Sequence, residues 1–411
     1  LWSEDTEIMV AALRKLGFDV DVEPDASEEG NRSISVAGLG GRIPKAGSRA
    51  LPLEIYVGNA GTVARFLTAL LCLGGGVYRL HGTPRMHQRP QGALFEALRQ
   101  LGYGIEAEAG RLPAVVSGEG GSGRRACSVS IDESSQFASA LLLSAGVGGW
   151  DVTVTGEDAE ESAYVAMTTK LIEAFPRNGG EFRIEPDCSS ASYFLAAGAL
   201  LPETRLQVAA WPESDWQIDG RFVGFLRRFD GGQTGTPLTL RQSSGHALAL
   251  SPGERGSSLA PYEPLSRMRD LGDSIMTAIV LAPLLARPSR FVDLGRLRIQ
   301  ESERVEALRT ELTKCGARVA EDGDTLEVYP SELHGAEIET YDDHRIAMCF
   351  STLGLKVPGM RIRNPGCVGK TFPNFYAKLA APPPDGLGAT VLDATTGRPL
   401  VGDQLHAEAL S

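Results

Sequence analysis

Gly58-Asn59-Ala60-Gly61-Thr62-Val63-Ala64-Arg65-Phe66-Leu67 sets the design of this chain: a short polar start runs straight into an Ala/Leu-rich helix. Four more segments repeat it. They are Ser134-Ser135-Gln136 into 137–141, Ser189-Ser190 into 191–195, Asp273-Ser274 into 275–279, and Asp342-Asp343-His344-Arg345 into 346–350. The first turn of a helix leaves N–H groups unpaired at the positive end of its dipole, so each start is either capped by its own side chains or faces an anion. For one segment alone, capping is the ordinary explanation. Arg65 and Arg345, however, sit in first turns, where the dipole disfavours a cation and a nearby anion would offset the cost. Five such starts point to one site ringed by helix ends.

A second helix type alternates with the first. Residues 11–18, 97–103 and 308–317 carry apolar side chains at i, i+3 or i+4 and then Leu-Gly or Cys-Gly before a strand, with a weaker version at 225–231. The glycine reads as the left-handed residue that ends a helix. Strands are expected at 54–57, 77–81, 127–131, 152–155, 182–184, 290–294, 325–329 and 360–363. A period of ~55–85 residues, each holding two helices and several strands, implies a repeated α/β unit and not one continuous parallel sheet.

The 411 residues suffice for two or three domains of ~100–200 residues each. Hydrophobic content is 42% and mean hydropathy -0.09, and no apolar run approaches the ~20 residues of a membrane span. Cys72, Cys127, Cys188, Cys315, Cys349 and Cys367 are scattered without metal-type pairing, which reads as reduced packing residues in a cytoplasmic protein with no structural metal. A net charge of -12 argues against nucleic acid or an anionic membrane as partner. Small anionic substrates are compatible with it, because a local arginine cluster decides their binding.

Eight segments in order carry a resemblance: ValGlyAsnAlaGlyThr at 57–62, ProArgMet at 84–86, SerSerGln at 134–136, SerSerAlaSerTyrPhe at 189–194, AspSerIleMetThr at 273–277, GluSerGluArg at 301–304, AspAspHisArg at 342–345 and GlyLysThrPhePro at 369–373. Together they resemble the motifs of the EPSP synthase (3-phosphoshikimate 1-carboxyvinyltransferase) family, over Trp2 to about Leu379. The resemblance implies an α/β, two-domain, pseudo-symmetric enolpyruvyl transferase fold of βαβαββ repeats, an inside-out α/β barrel with its site in the cleft between domains. The expected domains are residues 1–187 and 188–381, with 382–411 either a short extra segment or a disordered tail. It also implies that the family's opening strand and its LysSer…Arg segment are missing, since Leu1 begins just before the helix that follows them.

The implied reaction joins the 5-hydroxyl of shikimate 3-phosphate to C2 of phosphoenolpyruvate, protonates C3 and releases phosphate, with no cofactor or metal. A monomer is expected. Carried over by resemblance, Gly61, Arg85, Gln136, Arg304, Arg345 and Lys370 are expected at phosphoenolpyruvate, and Ser134, Ser135, Gln136, Tyr164 and Asp273 at phosphoshikimate. Asp273 is the expected base; Glu301 and Lys370 are the expected proton-handling pair. Arginine and lysine suit two phosphates and two carboxylates held close together. Arg65 and Arg89 are open between site and ion-paired scaffold. The chain departs from the pattern at Arg296 and Gln300, where the family often has Asn and Lys, and Glu161 competes with Ser162 for a substrate serine's position.

Two rival readings belong to the same fold: a UDP-N-acetylglucosamine enolpyruvyl transferase, whose pattern carries a cysteine before an ArgPro where this chain has none between Cys72 and Cys127, and a truncated non-catalytic phosphate-binding remnant. A phosphate-binding P-loop at 368–371 fails, because its first glycine would fall on Asn364.

Overall fold

The fold is that of a computed structural model, which describes residues 1–26, 28, 30–120, 124–156, 162–201, 206, 208, 211–212, 214–229, 239–241, 247–249 and 263–410. Glu161 and residues 230–231 of the weak helix repeat lie outside the described residues. The chain divides into two compact units, Leu1–Phe175 and Pro176–Ser411, each with its own apolar core.

Unit 1 opens with helix α1 (Glu4–Lys15) and an antiparallel pair, β1 (Val20–Pro24) with β2 (Arg32–Val36). Then come β3 (Leu53–Tyr56), α2 (Gly61–Leu71), β4 (Val77–His81), α3 (Gly92–Gln100), β5 (Gly104–Ala107) and β6 (Ala114–Ser117). They form one four-stranded sheet of order β3-β4-β6-β5, parallel between β3 and β4 and antiparallel elsewhere. That is a βαβαββ unit. The parallel pairing needs a crossover, and α2 supplies it, burying Val63, Ala64, Leu67 and Leu71. The unit closes with β7 (Arg125–Ser130) parallel to β8 (Trp150–Thr155), joined by α4 (Gln136–Gly148), and then α5 (Ala163–Ala174).

Unit 2 begins with α6 (Cys188–Leu200), α7 (Phe222–Leu226) and an antiparallel pair, β9 (Thr239–Arg241) with β10 (Ala247–Ala249). Next come β11 (Leu265–Ser266), α8 (Ile275–Leu281), β12 (Ser289–Val292), α9 (Arg304–Lys314), β13 (Arg318–Asp322) and β14 (Thr325–Tyr329), in a sheet of order β11-β12-β14-β13. Its strand directions repeat those of unit 1: parallel, antiparallel, antiparallel. A parallel pair, β15 (Glu337–Ile338) and β16 (Arg361–Ile362), brackets α10 (His344–Gly354), and α11 (Phe375–Ala380) comes after it. The segment beyond α11 folds against this unit: Leu405 and Ala407 are buried, and Leu387, Val391 and Leu400 pack on the core.

The predicted helix ends appear as read. Gly17, Gly102 and Gly316 follow α1, α3 and α9 at φ 90, 89 and 89, a conformation that costs glycine no Cβ clash. One strand does not: residues 182–184 form no strand among the described residues, after Gly179 and Gly180 at φ 82 and 142 break the path, and Ile184 is exposed. Of the six cysteines, five are buried and none forms a disulfide. Among the described residues, no helix is long and apolar enough to cross a membrane.

Candidate active site

The start of α10 organises the acidic and basic groups of unit 2. Tyr341 and Asp342 both adopt φ 55, rare for non-glycine residues, and turn the chain so that Asp343 caps the helix, its Oδ1 accepting the Arg345 N–H at 3.0 Å. This start is therefore self-capped. The Arg345 guanidinium is instead directed at α6 and the start of α8: Nη1 donates to Ser189 Oγ and, at 3.3 Å, to Tyr193 Oη, while Nη2 lies 3.4 Å from Asp273 Oδ2. The serines at the α6 start do not cap it; Asp187 does, accepting the Ser189 N–H at 2.9 Å, because it stands one residue before the helix with extended backbone.

Arg304, the first residue of α9, is 1% exposed and fully engaged by its own unit. Nε and Nη2 grip Asp343 at 2.7 and 3.1 Å, Nη2 also reaches Glu301 Oε2 at 2.8 Å, and Nη1 donates to Gln300 Oε1. Ser302 Oγ adds a 2.8 Å bond to Asp343. Gln300, a departure from the family pattern, is thus a ligand of the guanidinium. Lys370, at the end of a 3₁₀ turn Pro365–Lys370, places Nζ 3.5 Å from Glu301 Oε1. Glu301 therefore lies between two cations. Behind it, Arg298 holds Glu303, Glu321 at 2.8 Å and Asp324 at 3.1 Å, tying the entry to α9 to the β13–β14 hairpin.

Asp273 stands in a 3₁₀ turn, Gly272–Ser274, that leads into α8. Arg267 donates to its Oδ1 at 2.6 Å from a side chain only 6% exposed. Burial pushes the Asp273 carboxyl up, but the charges of Arg267, Arg345 and Arg304 outweigh burial and hold it well below the usual carboxylate range. Asp219, buried beside it, accepts the Ser274 N–H at 2.7 Å. Its burial, and then the Asp273 charge, push its carboxyl up to about 7. His344 is pressed the other way: burial and the Lys370 charge lower it to about 3, so it is neutral at pH 7.

In unit 1 a smaller group forms around the start of α2, where no side chain caps the helix. A Cβ added to Gly61 would stand 2.5 Å from Arg65 Nη1, 2.8 Å from Arg89 Nη2 and 3.1 Å from Gln136 Oε1, so a side chain there would push these groups from their places. Arg65 donates to Gln136 Oε1 and to the Pro90 carbonyl, each at 3.2 Å, and Arg89 to the Asn59 carbonyl at 2.9 Å. Both guanidiniums are buried. Arg85 begins the turn Met86–Gln88 and donates to Gln88 at 3.1 Å. Ser134 and Ser135 precede α4, Ser134 Oγ accepting the Gln136 N–H at 3.3 Å, and Tyr164 lies in the first turn of α5.

The sequence-predicted residues thus fall in two groups. In unit 2, Lys370, Glu301, Arg304 and Asp343 form one ion-pair chain, Arg345 and Asp273 pair beside it, and the Arg345 N–H on Asp343 joins the two; Gly61 and Gln136 meet in unit 1 with Arg65 and Arg89. Arg85, Ser134, Ser135 and Tyr164 also belong to unit 1. Sequence reading missed Arg267, Asp219 and Tyr193. For Tyr193 a signal existed, because it follows Ser189 by one helical turn on the Arg345-facing side of α6.

The EPSP synthase (3-phosphoshikimate 1-carboxyvinyltransferase) family model matches residues 1–379. A 3-phosphoshikimate 1-carboxyvinyltransferase of Bordetella pertussis is 37% identical over 406 residues, covering 91% of this chain and 86% of its own. One of Nostoc punctiforme is 33% identical over 401 residues, covering 92% and 88%. The EPSP synthase structure from Acinetobacter baumannii shares the fold, with a TM-score of 0.60 at 21% identity over 92% of this chain and 87% of that one. Match to the family across nearly the whole chain makes this protein a member of the EPSP synthase (3-phosphoshikimate 1-carboxyvinyltransferase) family.

Proposed function

We propose that this chain transfers the enolpyruvyl group of phosphoenolpyruvate to the 5-hydroxyl of shikimate 3-phosphate and releases phosphate, a step of aromatic amino-acid biosynthesis. The observation that carries the reading is the family match over residues 1–379, which takes in every residue of both groups described above.

Asp273 accepts the hydroxyl proton as the oxygen attacks C2 of phosphoenolpyruvate, and the Glu301–Lys370 pair delivers a proton to C3. The C3 proton is given back as the C2–O bond to phosphate breaks, which restores the double bond in the product. Asp273 is a weak base while Arg267 and Arg345 both face it. Arg345 drawn toward a substrate anion relaxes that hold and strengthens the base where it is needed. Arg304 fixes Glu301 and Asp343, so its share in donor binding is exercised largely through them. In unit 1, Arg85, Gln136 and the α2 start at Gly61 are assigned to the donor, and Ser134, Ser135 and Tyr164 to phosphoshikimate.

The test is phosphate release by the full chain with both substrates, with the product identified by mass. Release must depend on shikimate 3-phosphate and phosphoenolpyruvate together; equal or faster turnover with UDP-N-acetylglucosamine as acceptor would replace this reading with that of the sister enzyme.

A further inference from the structure

We propose that the segment Gly402–Leu410, beyond the part of the chain that matches the family, is a strap that positions Lys370. This rests on the reading of Lys370 as a group that meets the donor and handles its proton.

The route of the segment is built step by step. After α11 the chain doubles back at Gly386, where a Cβ would strike the Lys378 and Ala381 carbonyl oxygens at 2.4 and 2.5 Å. It is pinned there by the Ala389 N–H to the Leu379 carbonyl at 2.9 Å. A tight turn comes next, in which Asp393 Oδ1 accepts the N–H groups of Thr395 and Thr396 at 3.1 and 2.6 Å and Leu392 bridges Pro399. Leu405 then enters the core of unit 2.

Beyond Leu405, the strap grips the turn that carries Lys370 from both sides. The Ala407 N–H donates to the Pro373 carbonyl at 3.0 Å, three residues after the lysine. The Ala407 methyl lies over Gly369, the residue just before it: a Cβ added at Gly369 would stand 2.9 Å from the Ala407 Cβ. Lysine is a flexible four-carbon stem, so the position of its Nζ near Glu301 depends on how firmly the backbone beneath it is held. A displacement on the order of 1 Å in a catalytic group can cost about 10²-fold in rate, which makes such a buttress functional and not merely cohesive.

Gly369→Ala tests the contact, because it forces the turn and the strap apart at one point. Expected is a fall in kcat on the order of tenfold with KM for shikimate 3-phosphate within about twofold, and recovery of most of that loss in Gly369→Ala/Ala407→Gly, where the clash is gone. Leu405→Ala, which weakens the anchor without touching the turn, should lower kcat in the same way at a temperature where circular dichroism finds it folded. This keeps the test decisive if Gly369→Ala does not fold. Wild-type kcat in Leu405→Ala, or a Gly369→Ala loss that the second substitution fails to relieve, overturns the strap. Lys370→Met is measured alongside: undiminished turnover there would instead overturn the reading of Lys370 itself.

Discussion

The six-element unit of residues 53–117 and that of residues 265–329 have the same strand order, the same strand directions and equal length, and they differ in charge at matching places. With Leu53 laid on Leu265 and Ser117 on Tyr329, Gly61 falls on Asp273, Arg89 on Glu301, and Gly92, the first residue of α3, on Arg304, the first residue of α9. In unit 1 the start of the crossover helix is bare and two buried guanidiniums face it; in unit 2 the same place holds a carboxylate clamped by guanidiniums. The fold supplies a location for chemistry, at the start of the crossover helix. On the function proposed above, the side chains decide whether that location receives an anion or a proton.

The sharpest way to break this comparison is Asp273→Asn, which keeps the shape of the side chain and removes the base. Turnover is expected to fall by about 10²–10⁴, with donor affinity largely kept; turnover within roughly threefold of wild type would show the carboxylate position to be as passive as its glycine counterpart.

Next in size is Arg304→Met. It leaves Asp343 buried and stripped of its main partner, so stability is expected to drop by about 3–5 kcal/mol in urea unfolding. The matching residue in unit 1 is Gly92, and Gly92→Ala, whose methyl would meet Gly110 only at an ordinary contact distance of 3.9 Å, should cost far less. Similar losses at both would mean that the two helix starts are held by packing alone.

Gly61→Ala probes the bare start. Its methyl must displace Arg65 or Arg89, and KM for phosphoenolpyruvate is expected to rise on the order of tenfold with the fold intact. An unchanged KM would take the unit 1 group out of donor binding.

The smallest effect concerns Asp219, which supports the start of α8. A carboxyl that ionises near 7 when folded and near 4 when unfolded stabilises the fold below about pH 4 and loses that contribution as pH rises through 7. Asp219→Asn cannot ionise, so relative to wild type it should gain on the order of 1 kcal/mol per pH unit between pH 5 and pH 7. A difference independent of pH would mean that Asp219 ionises as readily inside the protein as outside it.

The sequence disclosed what is local. The glycines ending α1, α3 and α9, the five polar helix starts and the repeated α/β unit arise from neighbours a few residues apart, and the family motifs stand in the order the residues do. It misled where local patterns have two outcomes: residues 182–184 alternate like a strand but form none among the described residues, and Ser189 resembles a cap although Asp187 takes that role. What it hid depends on distant pairing. Arg267 sits six residues before Asp273, yet only the irregular turn between them brings it back onto the carboxylate. Asp219 meets Ser274 across 55 residues, and Arg345 meets Ser189 across 156.

The hairpins β5–β6 and β13–β14 join strands adjacent in sequence, whereas β3–β4 and β11–β12 join only around a helix. Closing a short loop costs less chain entropy than completing a crossover, so time enters the architecture: each hairpin is expected to form before the crossover of its own sheet. In pulsed hydrogen exchange during refolding, the amides of Arg318–Asp322 and Thr325–Tyr329 should gain protection before those of Ile275–Leu281. The residues that start the crossover helices are then the last to be placed, and a half-folded chain already owns its hairpins while having no means of doing chemistry.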